Sequence, residues 1–398
     1  MAGSIAKVAA PPAQPLLGYD GDCGFCKLWI ARWQEITAGR MNYAPLQTAA
    51  ADFPEVPRAA FERAVKLIEP DGCVYSGAEA VLRSLGAGRR WAPGRWSYAH
   101  LPGFAPLTET AYSFIASHRE LAHKVTSLLW GEDVRRPTYF TARRWFLRSL
   151  GAIYLIAFLS FWVQADGLIG AHGVLPVAQF LNGAHQQVGN DAYRLLPTFC
   201  WFNASNAFLH FLCGAGAVIS VLLIVGLAPV LCLALLFALY LSLTIAGQEF
   251  YSFQWDILLL ETGFLAIFLA PWRWRMRART PAPLSRVAVF LLQFLLFKLM
   301  LLSGVVKLTS GDPSWWNLSA LDYHYWTQPL PTVLGWWTAQ GPEWFQHAST
   351  SFVLAVEIGG AFLIWLPRHL RLVGAGLFVF LQILIGLTGN YAFFNLLT

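Results

Sequence analysis

Two cysteines separated by two residues, Cys23 and Cys26, close the stretch YDGDCGFC at residues 19–26. A short apolar run ends at Tyr19, a turn carries Asp20, Gly21 and Asp22, and an amphipathic helix is predicted from about Cys23 or Gly24. Both sulfurs then sit at a helix N-terminus, where unpaired N–H groups and the macrodipole favour a thiolate, and one turn brings them together. The chemistry is thiol–disulfide exchange, with Cys23 and Cys26 as the redox pair and Asp20 beside them. Three other readings compete. A zinc site needs four ligands, and Cys73 is the only further cysteine in this part of the chain. An aspartate nucleophile at Asp20 would need lysine and acidic partners that are not evident downstream. A merely structural cysteine pair stays open.

A second set of chemistry-bearing residues is spread through apolar sequence. Glu261, Lys298 and Glu357 fall at roughly 10, 16 and 14 Å below one membrane surface, at 1.5 Å per helical residue. Asp256 and Lys307 fall within roughly 3 Å of that surface and read as a second pair. Charges in hydrocarbon are costly and either paired or functional, so these residues read as structural ion pairs or as a proton or substrate site. A third set is aromatic. After Gly311-Asp312-Pro313 comes a stretch with Trp315, Trp316, Asp322, His324, Tyr325 and Trp326, then Trp336, Trp337 and Trp344. Such rings anchor at a water–lipid boundary or form an apolar platform for a client protein. Asp322 and His324 offer an acid–base pair, without ligand spacing for a metal.

The elements that must position these groups follow from composition. Hydrophobic residues make up 56% of the 398 and charged residues 13%, and the mean hydropathy of +0.49 is too high for a soluble globular protein. The apolar excess begins after residue 144, which implies a soluble domain followed by a membrane domain. The net charge of +6 is concentrated in arginines beside apolar runs; it is an orientation signal, and no nucleic acid partner is expected. Runs of spanning length lie near 145–164, 206–226, 228–247, 254–272, 284–308, 348–366 and 371–388, about seven helices. With seven spans, the basic clusters at 135–144, 273–286 and 368–371 share one side, which is then cytosolic. Arg277 and Arg279 belong to the second cluster. Residues 1–15 read as disordered and lack the apolar core of a signal peptide, which keeps the first domain on the cytosolic side. Cys213 and Cys232 stand too far apart in depth to relay a disulfide across the membrane.

Residues 19–26 resemble the motif of the DCC family of thiol–disulfide oxidoreductases, and Ser76-Gly77-Ala78-Glu79-Ala80 and Leu101-Pro102-Gly103-Phe104 resemble further blocks of it. The resemblance covers about 16–125 and implies a thioredoxin-like α/β fold and a cytosolic thiol reductant as partner. Periodicity suggests a strand near 41–47, a helix near 58–66, a strand near 65–75 and a helix near 77–85; no proline is identified as facing the cysteines, with Pro45 a candidate. Residues 143–176, 254–263, SGVVKL through GDPSWWNLSALDYHY and TQPLPT, and 386–397 resemble the lipase maturation factor family over about 138–398. That resemblance implies a membrane-embedded assistant in the folding or assembly of exported lipases, in a bacterial plasma membrane or a eukaryotic endoplasmic reticulum. It also implies a soluble region beyond residue 398, whose role lies outside this chain. The expected organisation is a thioredoxin-like domain at 16–125, a basic linker at 126–143 and an α-helical multi-pass domain at 144–398, contacting membrane lipid and requiring no cofactor. A membrane oxidoreductase built on Cys23 and Cys26, or a small-molecule transporter built on the Glu261–Lys298–Glu357 layer, are the alternatives.

Overall fold

The computed structural model describes residues 7–88, 92–276, 283–328 and 330–398. Residues 1–6 of the segment expected to be disordered, and Arg277 and Arg279 of the second basic cluster, lie outside the described residues. The chain forms two compact units, Met1–Pro137 with Pro367–Leu370, and Thr138–Leu366 with Arg371–Thr398.

The first unit is built on four strands, β1 (Leu16–Tyr19), β2 (Asn42–Pro45), β3 (Lys66–Ile68) and β4 (Val74–Ser76). Their order is β2-β1-β3-β4; β1 runs parallel to β2 and antiparallel to β3, and β3 antiparallel to β4. A β-α-β half and a β-β-α half thus share one sheet, the arrangement of a thioredoxin-like fold. Strand side chains alternate between faces. Leu17 and Leu67 point with Ile30 of α1 (Gly24–Thr37) and Ala80 of α4 (Gly77–Gly86) into one buried cluster. Ile68 and Val74 point into the other, with Leu46, Ala49 and Phe53 around α2 (Leu46–Asp52) and Phe61 of α3 (Arg58–Arg63). The single strand expected over 65–75 is in fact the β3–β4 hairpin. Pro70-Asp71-Gly72 turns it: Gly72 takes φ +83°, and Asp71 Oδ1 accepts from Cys73 N at 2.9 Å. Helices α5 (Ala92–His100), α6 (Phe104–Ser117) and α7 (Arg119–Trp130) complete the unit. Helix α7 runs to Trp130 and α8 (Phe140–Trp162) begins at Phe140, so helix occupies part of the expected linker.

Among the described residues of the second unit, six helices are long and apolar enough to cross a membrane: α8, Asn206–Val225, Pro229–Ala246, Arg286–Thr309, Glu343–Trp365 and Arg368–Thr388. The fourth of the seven expected runs, near 254–272, is the helix Gln254–Leu269, with 16 residues. At 1.5 Å per residue that reaches about 24 Å, short of a hydrocarbon core about 30 Å thick, and it carries Asp256 and Glu261 in that length. Its neighbours meet at aromatic side chains: Tyr154 of α8 stands edge-on to Tyr240 at 5.8 Å, and both are fully buried. Glycines set the close approaches. A Cβ on Gly304 would stand 2.5 Å from Ile358 Cγ1, so only glycine lets Arg286–Thr309 lie against the span that begins at Glu343.

Candidate functional sites

Helix α1 starts where the sequence places it, and Cys23 is its N-cap: Cys23 Sγ accepts from Cys26 N at 3.4 Å. Both thiols are free and half-buried. Burial first, then the hydrogen bond and charge of Cys23, push the Cys26 thiol up to about 12, with the Arg119 charge opposing. Cys26 lines a small cleft whose walls include Phe25, Trp29, Val65 and Tyr112, and whose polar members are Asp20 and Arg119. Asp20 is held from two sides: Oδ1 accepts from Asp22 N at 3.0 Å, and Oδ2 accepts from Arg119 Nη1 at 2.9 Å. Arg119 also donates to the carbonyl of Glu62 at 3.1 Å, which ties α7 to the end of α3. The Tyr112 hydroxyl accepts from Val65 N at 2.9 Å, at the entry to β3. Pro45 is not among the residues that line this cleft. Sequence reasoning missed Arg119 and Tyr112, because their partners are 99 and 47 residues away.

The SGAEA block has a local role. Gly77 takes φ +65°, and a Cβ there would meet Glu109 Oε2 at 2.6 Å. Its absence lets the Glu109 carboxylate accept from Ala78 N at 3.2 Å and Glu79 N at 3.0 Å, capping α4 from another helix. Tyr98 donates to the same carboxylate at 2.9 Å.

In the membrane unit the structure redistributes the charges. Lys298 donates to both oxygens of Glu261 at 3.0 Å. Lys307 donates to both oxygens of Glu357 at 2.7 Å, not to Asp256. Asp256 instead accepts from the Tyr240 hydroxyl at 2.5 Å. Two corrections follow: the Asp256–Lys307 pair is not formed, and Glu261, Lys298 and Glu357 do not make one layer with an unbalanced acid. Counting residues from assumed span ends misplaces the depths of Lys307 and Glu357, roughly 3 and 14 Å, and gives no facing side. Glu357 also lies in a π-helical stretch, Ala355–Gly360, which turns it toward Lys307 where the Gly304 contact brings the helices close. Glu357 is 5% exposed.

The Lys307–Glu357 pair lines an open-sided cavity of about 610 Å³ between Arg286–Thr309, Ala320–Thr327, the Glu343–Leu354 helix with its π turn, and Arg368–Thr388. Its wall is largely apolar, with Phe352, Phe380 and Leu384 among its members. Trp315 stacks over the Lys307 ammonium at 5.4 Å from ring centre. His324 Nε2 and the Tyr391 hydroxyl pair at 3.1 Å, and burial, then the charge of Lys307, lower the pKa of His324. Asp322 stands 3.9 Å from His347 rather than beside His324. Of the tryptophans of the aromatic stretch, Trp316, Trp326, Trp336, Trp337 and Trp344 are exposed. Tyr325 is 7% exposed and faces the cavity, so it drops out of any surface. The helix before this stretch ends at Thr309, Gly311 takes φ +81°, and Asp312 caps Pro313–Trp316 through Ser314 N at 2.9 Å.

Fold and sites together define a multi-pass membrane protein fused to a small α/β domain that carries a cysteine pair at a helix N-terminus. The comparisons sharpen this. Residues 141–398 match the lipase maturation factor transmembrane domain, and 17–124 match the DCC1-like thiol-disulfide oxidoreductase family. The chain belongs to the lipase maturation factor family. It is 44% identical over 277 residues to lipase maturation factor 2 of Gallus gallus, covering 67% of this chain and 38% of that protein. It is 41% identical over 277 residues to lipase maturation factor 2 of Homo sapiens, covering 64% of this chain and 38% of that one. Lipase maturation factor 1 of Mus musculus is 34% identical over 270 residues, 66% of this chain and 47% of that protein. The match thus spans less than half the length of these relatives. No solved structure matches the chain.

Proposed function

We propose that this chain is a membrane-embedded maturation factor that assists the folding or assembly of exported lipases. The family match over 141–398 carries the reading. Trp316, Trp326, Trp337 and Trp344 are its client surface, since exposed aromatics at this density offer apolar area to an incompletely folded chain. Trp315 and His324 support that surface from the cavity side. The test replaces Trp316 and Trp326 with alanine and measures active secreted lipase against total lipase made. Lower specific activity at normal membrane levels of the protein supports a client platform. A change confined to the protein's own insertion or abundance means the rings are anchors, and the reading fails at this segment.

The N-terminal domain is proposed to face the cytosol, with the basic clusters on the same side. That topology needs the 16-residue helix Gln254–Leu269 to cross as well, with the preceding turn Gln248–Tyr251. Labelling of a cysteine placed at Ser127 by an impermeant reagent in intact cells would overturn it.

A second reading, a membrane thiol–disulfide oxidoreductase, is favoured by Cys26 lying in an apolar cleft with the Asp20–Arg119 pair. In it, the Cys23 thiolate attacks a partner disulfide and releases one partner thiolate. Cys26 then gives up its proton and attacks Cys23 Sγ, which releases the second thiolate and leaves a Cys23–Cys26 disulfide. A cytosolic thiol reductant restores the pair. The Cys26→Ser variant should accumulate the mixed disulfide on Cys23; a variant that never traps one marks the pair as structural.

A further inference from the structure

The cavity beside Lys307 and Glu357 has polar groups that the protein leaves without partners. The carbonyl oxygens of Gln382 and Asn395 line it or its edge, are shut off from solvent, and accept no hydrogen bond from any described residue. Buried polar groups are nearly always satisfied, and an orphan in a roomy polar niche points to a missing partner. Both orphans are acceptors, so the partner must donate a hydrogen bond, which a hydroxyl does without carrying charge.

Charge narrows the class further. Lys307 spends its ammonium on both oxygens of Glu357, so the pair brings no net charge to the cavity. A fatty acid anion or a phosphate would have to displace Glu357 to gain a counter-ion, and a cation would have to displace Lys307. His324 is already engaged with Tyr391. The remaining wall, with Phe352, Phe380, Leu384 and Ile385, suits a hydrocarbon chain. The volume of about 610 Å³ falls in the range of sites that enclose a small molecule, roughly 300–1,000 Å³.

We propose that this cavity binds a neutral lipid with a hydroxyl-bearing polar end, of the acylglycerol class, its headgroup on Gln382 and Asn395 and its chain along Phe352 and Phe380. The site is independent of the client role: it asks nothing of a lipase.

The experiment reconstitutes the full chain into phosphatidylcholine nanodiscs with a monoacylglycerol carrying a diazirine in its acyl chain, irradiates, and maps the labelled peptides. Label should concentrate on the peptides holding Phe352 and Phe380 and be displaced by excess unlabelled monooleoylglycerol. Gln382→Leu or Asn395→Leu should each weaken competition about fivefold, the loss of about one hydrogen bond. Ser349→Trp, which fills the cavity, should abolish the specific label at an unchanged unfolding midpoint. Equal competition by oleate would overturn the neutral headgroup. Stronger competition by decylubiquinone would replace the acylglycerol with a quinone. Label spread evenly over Val218 and Val287, insensitive to competitor, would reduce the contact to ordinary bilayer lipid.

Discussion

Removing Lys307 should be among the most damaging single changes in the membrane unit. Glu357 is 5% exposed, and both of its oxygens lie 2.7 Å from the one ammonium. At that distance, and an effective dielectric of about 20, the attraction is about 6 kcal/mol before desolvation is counted. Breaking a buried pair by deleting one partner costs about 3–5 kcal/mol, because the remaining charge is stranded. We therefore expect Lys307→Met to lower stability by about 3–5 kcal/mol, whereas Lys307→Met with Glu357→Gln should recover to within about 1 kcal/mol of the parent. The assay is unfolding of the full chain in mixed micelles as the denaturing detergent fraction rises, followed by the fluorescence of its 18 tryptophans. Equal loss in the single and double variants would refute the pairing, because neutralising the acid would then relieve nothing.

Three further outcomes are expected. Lys298→Met reports on its surroundings: Lys298 and Glu261 are 41% and 42% exposed, so the loss should be about 1 kcal/mol if that surface meets water and about 3 kcal/mol if it meets lipid. A loss below the measurement error, with Glu261→Gln equally silent, would show that the two side chains do not interact. With its thiol pushed up to about 12 from 9.0, Cys26 should react with iodoacetamide slowly through neutral pH in the Cys23→Ser variant, provided burial keeps its dominant share there. The folded state holds that proton more tightly than the unfolded one, so its contribution to stability is full below about pH 9 and fades as pH rises toward 12; fast alkylation near pH 7 would contradict this. Gly77→Ala should destabilise the α/β domain by about 1–3 kcal/mol, since it strains φ +65° and displaces the Glu109 cap; thermal unfolding unchanged from the parent would remove that role.

Much of the local architecture can be read along the chain. The strand ending at Tyr19, the helix start at the cysteines and the break at Gly311-Asp312-Pro313 rest on near neighbours in sequence, and apolar length marks the long helices. What escapes is information that lies across the fold. Nothing near Asp20 announces Arg119, which is 99 residues on. Counting residues from assumed span ends fixes neither the depth of Lys307 nor the side it faces, and the acid it meets, Glu357, lies on a span that begins at Glu343 and not near 348. Aromatic composition marks Tyr325 and Trp326 alike, yet adjacent residues on a helix point about 100° apart, so one is buried and the other exposed. The β3–β4 turn is legible too, because Pro70-Asp71-Gly72 is a turn signature inside the run 65–75.

The π turn at Ala355–Gly360 makes its span behave like a crankshaft. Before the turn, Phe352 meets Phe380 at 5.8 Å; after it, Trp365 meets Phe290 and Phe297 at 5.4 and 5.7 Å. The two halves thus make aromatic contacts with different helices, although Leu363 after the turn also packs beside Gly374 of Arg368–Thr388. The turn absorbs one residue more than an ordinary helix would hold, so deleting Ile358 should let the stretch wind back to an α-helix with both halves still in phase. Winding all of its residues as α-helix without that deletion would instead swing one half by about 100°, and either Phe352 or Trp365 would lose its partner. The span should thus tolerate one residue removed at the turn, whereas one residue removed between the turn and Trp365 should uncouple the contact of Trp365.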